Sequence, residues 1–181
     1  MTPAEFDACF DRFRKSAWRL ETLQRYTIDE EEDRIRAWRE GEPRPERSVR
    51  TSPWLRRVAE TTAVGKHWSR VHVVDEPLSE YVRFEMVTYR ESAQADENIR
   101  ITDRRANPAL DALQTDFWLF DAETDRPFAA LMQYDADGHY MDAAVTTNRT
   151  AIAECKAARD LALNHSVPLI TYLADKEIEA A

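Results

Sequence analysis

Glycine is scarce: Gly41, Gly65 and Gly138 are the 3 glycines in 181 residues. Neither GxGxxG nor GxxxxGK[ST] occurs, and isolated glycines cannot build the backbone loops that cradle phosphates, so the common nucleotide-binding loops are excluded. The same scarcity leaves no flexible linker, and with no internal repeat residues 1–181 read as a single domain. Of the 2 cysteines, Cys9 and Cys155 each fall in a predicted helix far apart in sequence, which favours two buried reduced thiols over a disulfide. No run reaches the roughly 18–20 apolar residues that a membrane span needs, and the opening MTPAEFDACF is acidic and amphipathic, unlike a secretory leader. We therefore expect a cytoplasmic protein with no membrane partner.

What is present suits a soluble domain with a core, since 43% of residues are hydrophobic and 33% charged. The 25 basic residues are outnumbered by 34 acidic ones, a net charge of −9, which argues against a generic DNA coat or a binder of anionic membranes. Thr2, Pro3 and Glu5 predict a capping box opening a helix with Phe6, Phe10 and Phe13 on one stripe. A strand is expected near residues 18–26, and a second capping box, Thr27 with Glu30, opens a helix that closes at Gly41. Ser52-Pro53 starts another helix ending at Gly65, and His67–Val74 alternates as a strand, with Arg70, His72 and Val74 on one face and Val71 and Val73 on the other. Ser79 begins a helix carrying Tyr81, Val82, Glu85 and Tyr89, although Tyr81–Tyr89 is also compatible with a strand. Further strands are predicted at Ile99–Thr102, Asp116–Asp121, Phe128–Tyr134 and Tyr140–Thr146, the last two joined by a hairpin at Asp135–Gly138. A final long helix covers about Thr150 to Asn164. Without a regular βαβ alternation the expected class is α+β, a mostly antiparallel sheet of about five or six strands packed with about four or five helices.

Catalytic signatures are few. His67, His72, His139 and His165 form no known metal-ligand spacing, and HExxH, paired CxxC and GxSxG are all absent, so neither a metal nor a cofactor is expected. Asp135-Ala136-Asp137-Gly138 resembles the start of a calcium loop, but Thr146 stands where the twelfth-position glutamate belongs, and a hairpin turn explains those residues better. Residues 34–70 hold ten basic side chains and four acidic ones, interleaved with Trp38, Trp54 and Trp68. That segment is either a surface for RNA or nucleotides, with Arg56 and Arg57 among its contacts, or a solvated face over core tryptophans; the second reading is preferred. Arg70, His72, Arg83, Glu85, Arg100 and Asp116 form the other constellation. Turned inward, they make a polar pocket for a carboxylate or phosphate with Glu85, Asp116 or His72 as acid/base candidates; the competing account is a structural ion-pair network.

Three runs carry a family resemblance: Ser16–Glu21 with Tyr26, Arg70–Val74 followed by Glu76–Glu85, and Asp116–Asp121. In this order they resemble an uncharacterised actinobacterial family, a domain of unknown function often encoded beside helix-turn-helix regulators of the XRE type. The resemblance covers nearly the whole chain and implies a regulatory or partner-binding role, with no known reaction. The matching positions are Arg70, Tyr81, Arg83, Glu85, Glu97, Arg100, Asp116, Trp118 and Asp121. The chain departs where a Gly-Glu pair usually precedes Ile-Arg, since Asp96 stands before Glu97 here. The leading expectation is a non-enzymatic module whose acidic surface binds a regulator; the alternatives are an enzyme or receptor for a small anionic ligand, and an RNA or nucleotide binder.

Overall fold

The computed structural model describes residues 1–176. Two short helices, α1 (Pro3–Asp7) and α2 (Cys9–Arg12), lead into strand β1 (Ser16–Glu21). Helices α3 (Glu32–Glu40) and α4 (Pro53–Ala63) precede β2 (His67–Val74), and α5 (Glu80–Gln94) precedes β3 (Glu97–Asp103). Strands β4 (Phe117–Phe120), β5 (Phe128–Tyr134) and β6 (Tyr140–Thr146) follow, then α6 (Arg149–His165), β7 (Val167–Pro168) and α7 (Leu169–Asp175). They build one seven-stranded mixed sheet in the order β6-β5-β4-β1-β2-β3-β7.

The α+β class stands, but the sheet is larger and less antiparallel than expected. Its centre, β1-β2-β3, is parallel, because each crossover between these strands runs through helix: α3 and α4 from β1 to β2, α5 from β2 to β3. Only the flanks, β4-β5-β6 on one side and β7 on the other, run antiparallel. Val167–Pro168, expected to lie past the last helix, supplies the edge strand instead.

Local signals set several boundaries. Thr2 and Glu5 form the capping box of α1, Ser52 caps α4 by accepting from the Leu55 amide, and Ser79 caps α5 by accepting from the Val82 amide, which settles Tyr81–Tyr89 as helix. The expected box at Thr27 and Glu30 does not form. Thr27 donates its hydroxyl proton to the Asp137 carbonyl instead, and a 3-10 turn, Asp29–Glu31, leads into α3 with no side-chain cap. The first strand ends at Glu21, so Thr22–Tyr26 is free to turn over the sheet.

Helices cover both faces. Leu20, Val71, Val73 and Leu119 meet Ile152, Cys155 and Ala162 of α6 on one face. On the other, Phe10 of α2 lies within 5.0–5.7 Å of the rings of Trp54, Trp68, Trp118 and Phe120, and Val74, Ile99 and Ile101 pack on α5 and α7. Such aromatic contacts add about 0.5–1.5 kcal/mol each beyond the area they bury. Both cysteines are buried free thiols. Between the aromatic cluster and α5, however, this face of the sheet carries charge.

Candidate functional site

The charge arises from simple alternation. In β1, Trp18 and Leu20 face α6, which turns Arg19 and Glu21 to the opposite face, while the neighbouring β2 turns Arg70 and His72 the same way. On α5, Tyr81, Glu85 and Tyr89 recur every four residues and so line one stripe over these strands, joined by Thr88 and Ser92. These groups border a cavity of about 340 Å³, within the range of small-molecule sites. Phe6, Phe10, Trp54, Trp118, Met132 and Tyr140 form its apolar side, and Arg19, Glu21, Glu31, Arg47, Arg70 and Glu85 its polar side.

Most of the charged groups hold one another. Arg70 donates to Glu97 from Nε at 2.7 Å and to both Glu21 oxygens from Nη1 at 3.1 Å. Arg19 donates to Asp116 at 3.1 Å and to the Tyr134 hydroxyl at 2.8 Å, with its guanidinium 5.5 Å from the Trp118 ring. Asp116 further accepts from the Thr22 amide and hydroxyl at 2.8 and 2.7 Å and from the Tyr26 hydroxyl. Burial alone would raise the Glu21 carboxyl, but the Arg70 and Arg19 guanidiniums overcome it and hold it at about 2. Thus Glu21 is an ionised structural anion.

Glu85 is its opposite. Burial and the neighbouring carboxylates Glu31 and Glu21 push its carboxyl up to about 8, so it keeps its proton at neutral pH. Burial raises Glu31 as well. The Tyr81 hydroxyl lies 3.0 Å from Glu31 and 3.3 Å from Glu85; having one proton, it can donate to only one of them, and the contact with the other requires a protonated carboxyl. Tyr89 donates to Glu21 at 2.8 Å and sits 2.8 Å from His72 Nδ1. His72 Nε2 lies 2.7 Å from the Leu23 carbonyl, which only accepts, so this nitrogen carries the proton, and burial lowers the imidazole to its neutral form. Nδ1 then has a lone pair, and it competes with Glu21 for the Tyr89 proton. Glu31, Tyr81 and Glu85 thereby make one hydrogen-bonded group beside the cavity, and Glu21, Tyr89 and His72 another.

Glu21, His72 and Glu85 place potential ligand atoms within 4.8 Å of one another. Their lone pairs are already engaged, by Arg70 and Tyr89 on Glu21 and by Tyr89 on His72, and two guanidiniums oppose a cation there, so the donor set does not suit a metal. The second such group, Asp135, Asp137 and His139, belongs to the hairpin turn. There Asp135 accepts from the Asp137 and His139 amides at 2.9 Å and binds His139 Nδ1.

Of the residues singled out from sequence, Arg70, Tyr81, Glu85 and Trp118 line the cavity, while Glu97 accepts from Arg70, Asp116 accepts from Arg19, and His72 meets Tyr89. Three lie elsewhere. Arg83 is exposed, because it occupies the outer side of α5 when Tyr81 and Glu85 face in. Arg100 projects from the opposite face of β3, donating to the Ser166 hydroxyl and carbonyl, since it is odd in register with Ile99 and Ile101. Asp121 has φ +52° and accepts from the backbone amides of Arg14, Lys15 and Ser16, a role in chain reversal. Sequence reasoning did not single out Arg19, Glu21, Tyr26, Glu31, Arg47, Thr88, Tyr89 or Tyr134 as site residues. Charged residues at alternate positions of an otherwise apolar strand, Arg19 and Glu21, were the signal for two of them; the rest come together only through packing.

In the 34–70 segment, Trp54 and Trp68 belong to the aromatic core and Trp38 packs on the Tyr26, Tyr81 and Phe84 cluster. Arg34, Arg39 and Arg57 pair with Glu91, Glu80 and Asp7, and Arg56 donates to the Val49 and Arg50 carbonyls. No helix among the described residues is long and apolar enough to cross a membrane.

No curated protein and no solved structure matches the chain. A family model, described as a domain of unknown function, DUF6879, matches residues 4–174. With that match spanning nearly its whole length, the chain belongs to the DUF6879 family.

Proposed function

We propose that the protein binds a small organic molecule in the cavity between α4 and α5, with the Glu85 end polar and the Trp54 and Trp118 end apolar. One observation carries this reading: an aromatic wall faces a buried, hydrogen-bonded polar wall across a space of about 340 Å³, the combination that gives small-molecule sites their affinity and their orientation. A purely structural ion-pair network has no need of such a space, since cores are close-packed. Glu85 is the acid/base candidate here, placed to exchange a proton with an occupant or with Tyr81 and Tyr89. Fragment binding followed by NMR tests the reading. Benzamide or indole is expected to shift the indole resonances of Trp54 and Trp118, and Thr88→Trp, which fills the space, is expected to abolish the effect. Shifts that survive in that variant, or that map elsewhere, refute it.

The net charge of −9 supports a second reading, that the exterior binds a basic partner such as the XRE-type regulator of an actinobacterial cytoplasm, which the family resemblance implied. The two readings are compatible, with the occupant acting as the signal. Binding to such a regulator is expected to weaken as salt rises, and no binding at low salt would remove this proposal.

A further inference from the structure

The charge of the cavity indicates which occupant it takes. The charged lining residues and the ion-pair network that continues from them comprise four guanidiniums, Arg19, Arg34, Arg47 and Arg70, and six carboxyls, Glu21, Glu31, Glu85, Glu91, Glu97 and Asp116. Negative charge thus exceeds positive by two when every carboxyl is ionised. Three of the arginines are committed to close carboxylates, while Arg47 donates to the Thr88 carbonyl and the Ser92 hydroxyl and lies 3.6 Å from Glu91. Arg70 lies between Glu21 and Glu97, Arg19 between Glu21 and Asp116, and Arg34 holds Glu91 through both oxygens at 2.6 and 2.7 Å. An anionic occupant at Arg19, Arg34 or Arg70 would have to displace one of these buried partners, leaving a carboxylate uncompensated, and one at Arg47 would come under the charge of Glu31, Glu85 and Glu91. Among the described residues, neither Glu31 nor Glu85 takes part in the ion pairs of Arg19, Arg34, Arg47 and Arg70, and the Tyr81 hydroxyl lies between them. They are the two carboxyls that make up the excess.

Other features of the same wall suit a donor. Thr88 Oγ1 is buried and has no hydrogen-bond partner within the protein, although Thr88 lies one turn beyond Glu85 on the cavity-lining stripe of α5. Phe10, Trp54, Trp118 and Tyr134 line the same cavity, and the face of an aromatic ring attracts a cation through its quadrupole.

We infer that the occupant is a cationic nitrogen compound, an amidine, guanidine or amine on a flat apolar body, whose charged end lies between Glu31 and Glu85 and whose body stacks on the Trp54 and Trp118 side. This rests on the ligand-pocket reading above and replaces the carboxylate or phosphate expected from sequence. The cation takes the place of the proton that otherwise keeps Glu85 neutral, donates to the carboxylates of Glu31 and Glu85, and has Thr88 Oγ1 as a further acceptor.

Three near-isosteric probes test it by calorimetric or NMR titration of the full chain: benzamidine (cation), benzamide (neutral) and benzoate (anion). Benzamidine is expected to bind about tenfold or more tightly than benzamide, with benzoate weakest. In Glu85→Gln and in the Glu31→Gln/Glu85→Gln double variant, which keep shape and neutral hydrogen bonding, the preference for benzamidine over benzamide is expected to fall to about twofold or less. Equal binding of all three, or tighter binding of benzoate, overturns the charge assignment and leaves the pocket standing. If no probe binds at all, the pocket reading fails with it. A benzamidine preference undiminished in the double variant also overturns the assignment, because the cation is then held elsewhere.

Discussion

Glu85 sits four residues after Tyr81 and four before Tyr89, so one helical stripe places a phenol on each side of its carboxyl. That carboxyl is pushed up to about 8 by burial and by Glu31 and Glu21, against an ordinary value of about 4.3 in an unfolded chain. Between those values the folded protein holds a proton that the unfolded chain has released. Stability therefore falls as pH rises through the window, on the order of 1 kcal/mol per pH unit, and levels off above about 8. Glu31, raised by burial too, adds the same sign. In urea titrations across the window, Glu85→Gln is expected to gain on the parent protein as pH rises; parallel curves would show that Glu85 is not the group. Glu21 has the opposite sign. Held at about 2, it contributes stability that is full above the ordinary carboxyl range and is lost as pH falls toward 2. Tyr89→Phe removes the hydroxyl shared by Glu21 and His72 and takes the donor from His72 Nδ1. A loss of about 1–3 kcal/mol is expected in the same urea assay.

Among the elements, the β5–β6 hairpin turn governs the mouth of the cavity. Gly138 has φ +85°, and a Cβ there would lie 2.5 Å from the Arg25 carbonyl oxygen. The close approach is made by Arg25–Thr27, whose Thr27 amide donates to the Gly138 carbonyl at 3.0 Å, and it fixes Tyr26 over Asp116. Gly138→Ala is therefore expected to cost about 1–3 kcal/mol from the backbone conformation alone, plus the displacement of Arg25. Its melting temperature is expected to fall, and fragment binding to weaken with it. Wild-type binding in this variant would separate the turn from the site. At the N-terminus of α5, Ser79 both accepts from the Val82 amide and donates to the Gln24 carbonyl at 2.6 Å. Ser79→Ala is expected to cost about 1 kcal/mol or somewhat more, measured by thermal unfolding, since it loosens the stripe that carries Glu85 as well as the cap.

For the whole molecule, helices shield both faces of the mixed sheet, and the cluster of buried charge around Glu85 is bounded by α4, α5 and the hairpin. The arrangement adds no support to the arginine-rich segment as a nucleic-acid surface. Its tryptophans are packed inward, so no stacking platform accompanies the guanidiniums, and the overall charge is −9. Filter retention of single-stranded RNA is expected to be negligible at physiological salt and unchanged by replacing Arg56 and Arg57. Strong, salt-sensitive retention lost in that variant would reverse this conclusion.

Much of the fold was already determined by local sequence, because caps and alternation act over a few residues. Thr2, Ser52 and Ser79 marked helix starts, Gly41 closed α3, and the alternation of His67–Val74, Phe128–Tyr134 and Tyr140–Thr146 marked three strands at their observed limits. Alternation also put Arg70 and His72 on one face and Val71 on the other. What local sequence does not contain is register between distant segments. The parallel pairing of β1 with β2 sets Arg19 beside Arg70, and the chain reversal after Glu21 brings Tyr26 to Asp116, 90 residues away. Arg83 and Arg100, named with Glu85 in the polar constellation, were sent outward and to the far face by two residues of helical phase and one of strand phase. Which charges are neutralised, and therefore which carboxyls are left for an occupant, follows from those long-range pairings: a buried charge is defined by its partners, and its partners are chosen by the tertiary structure.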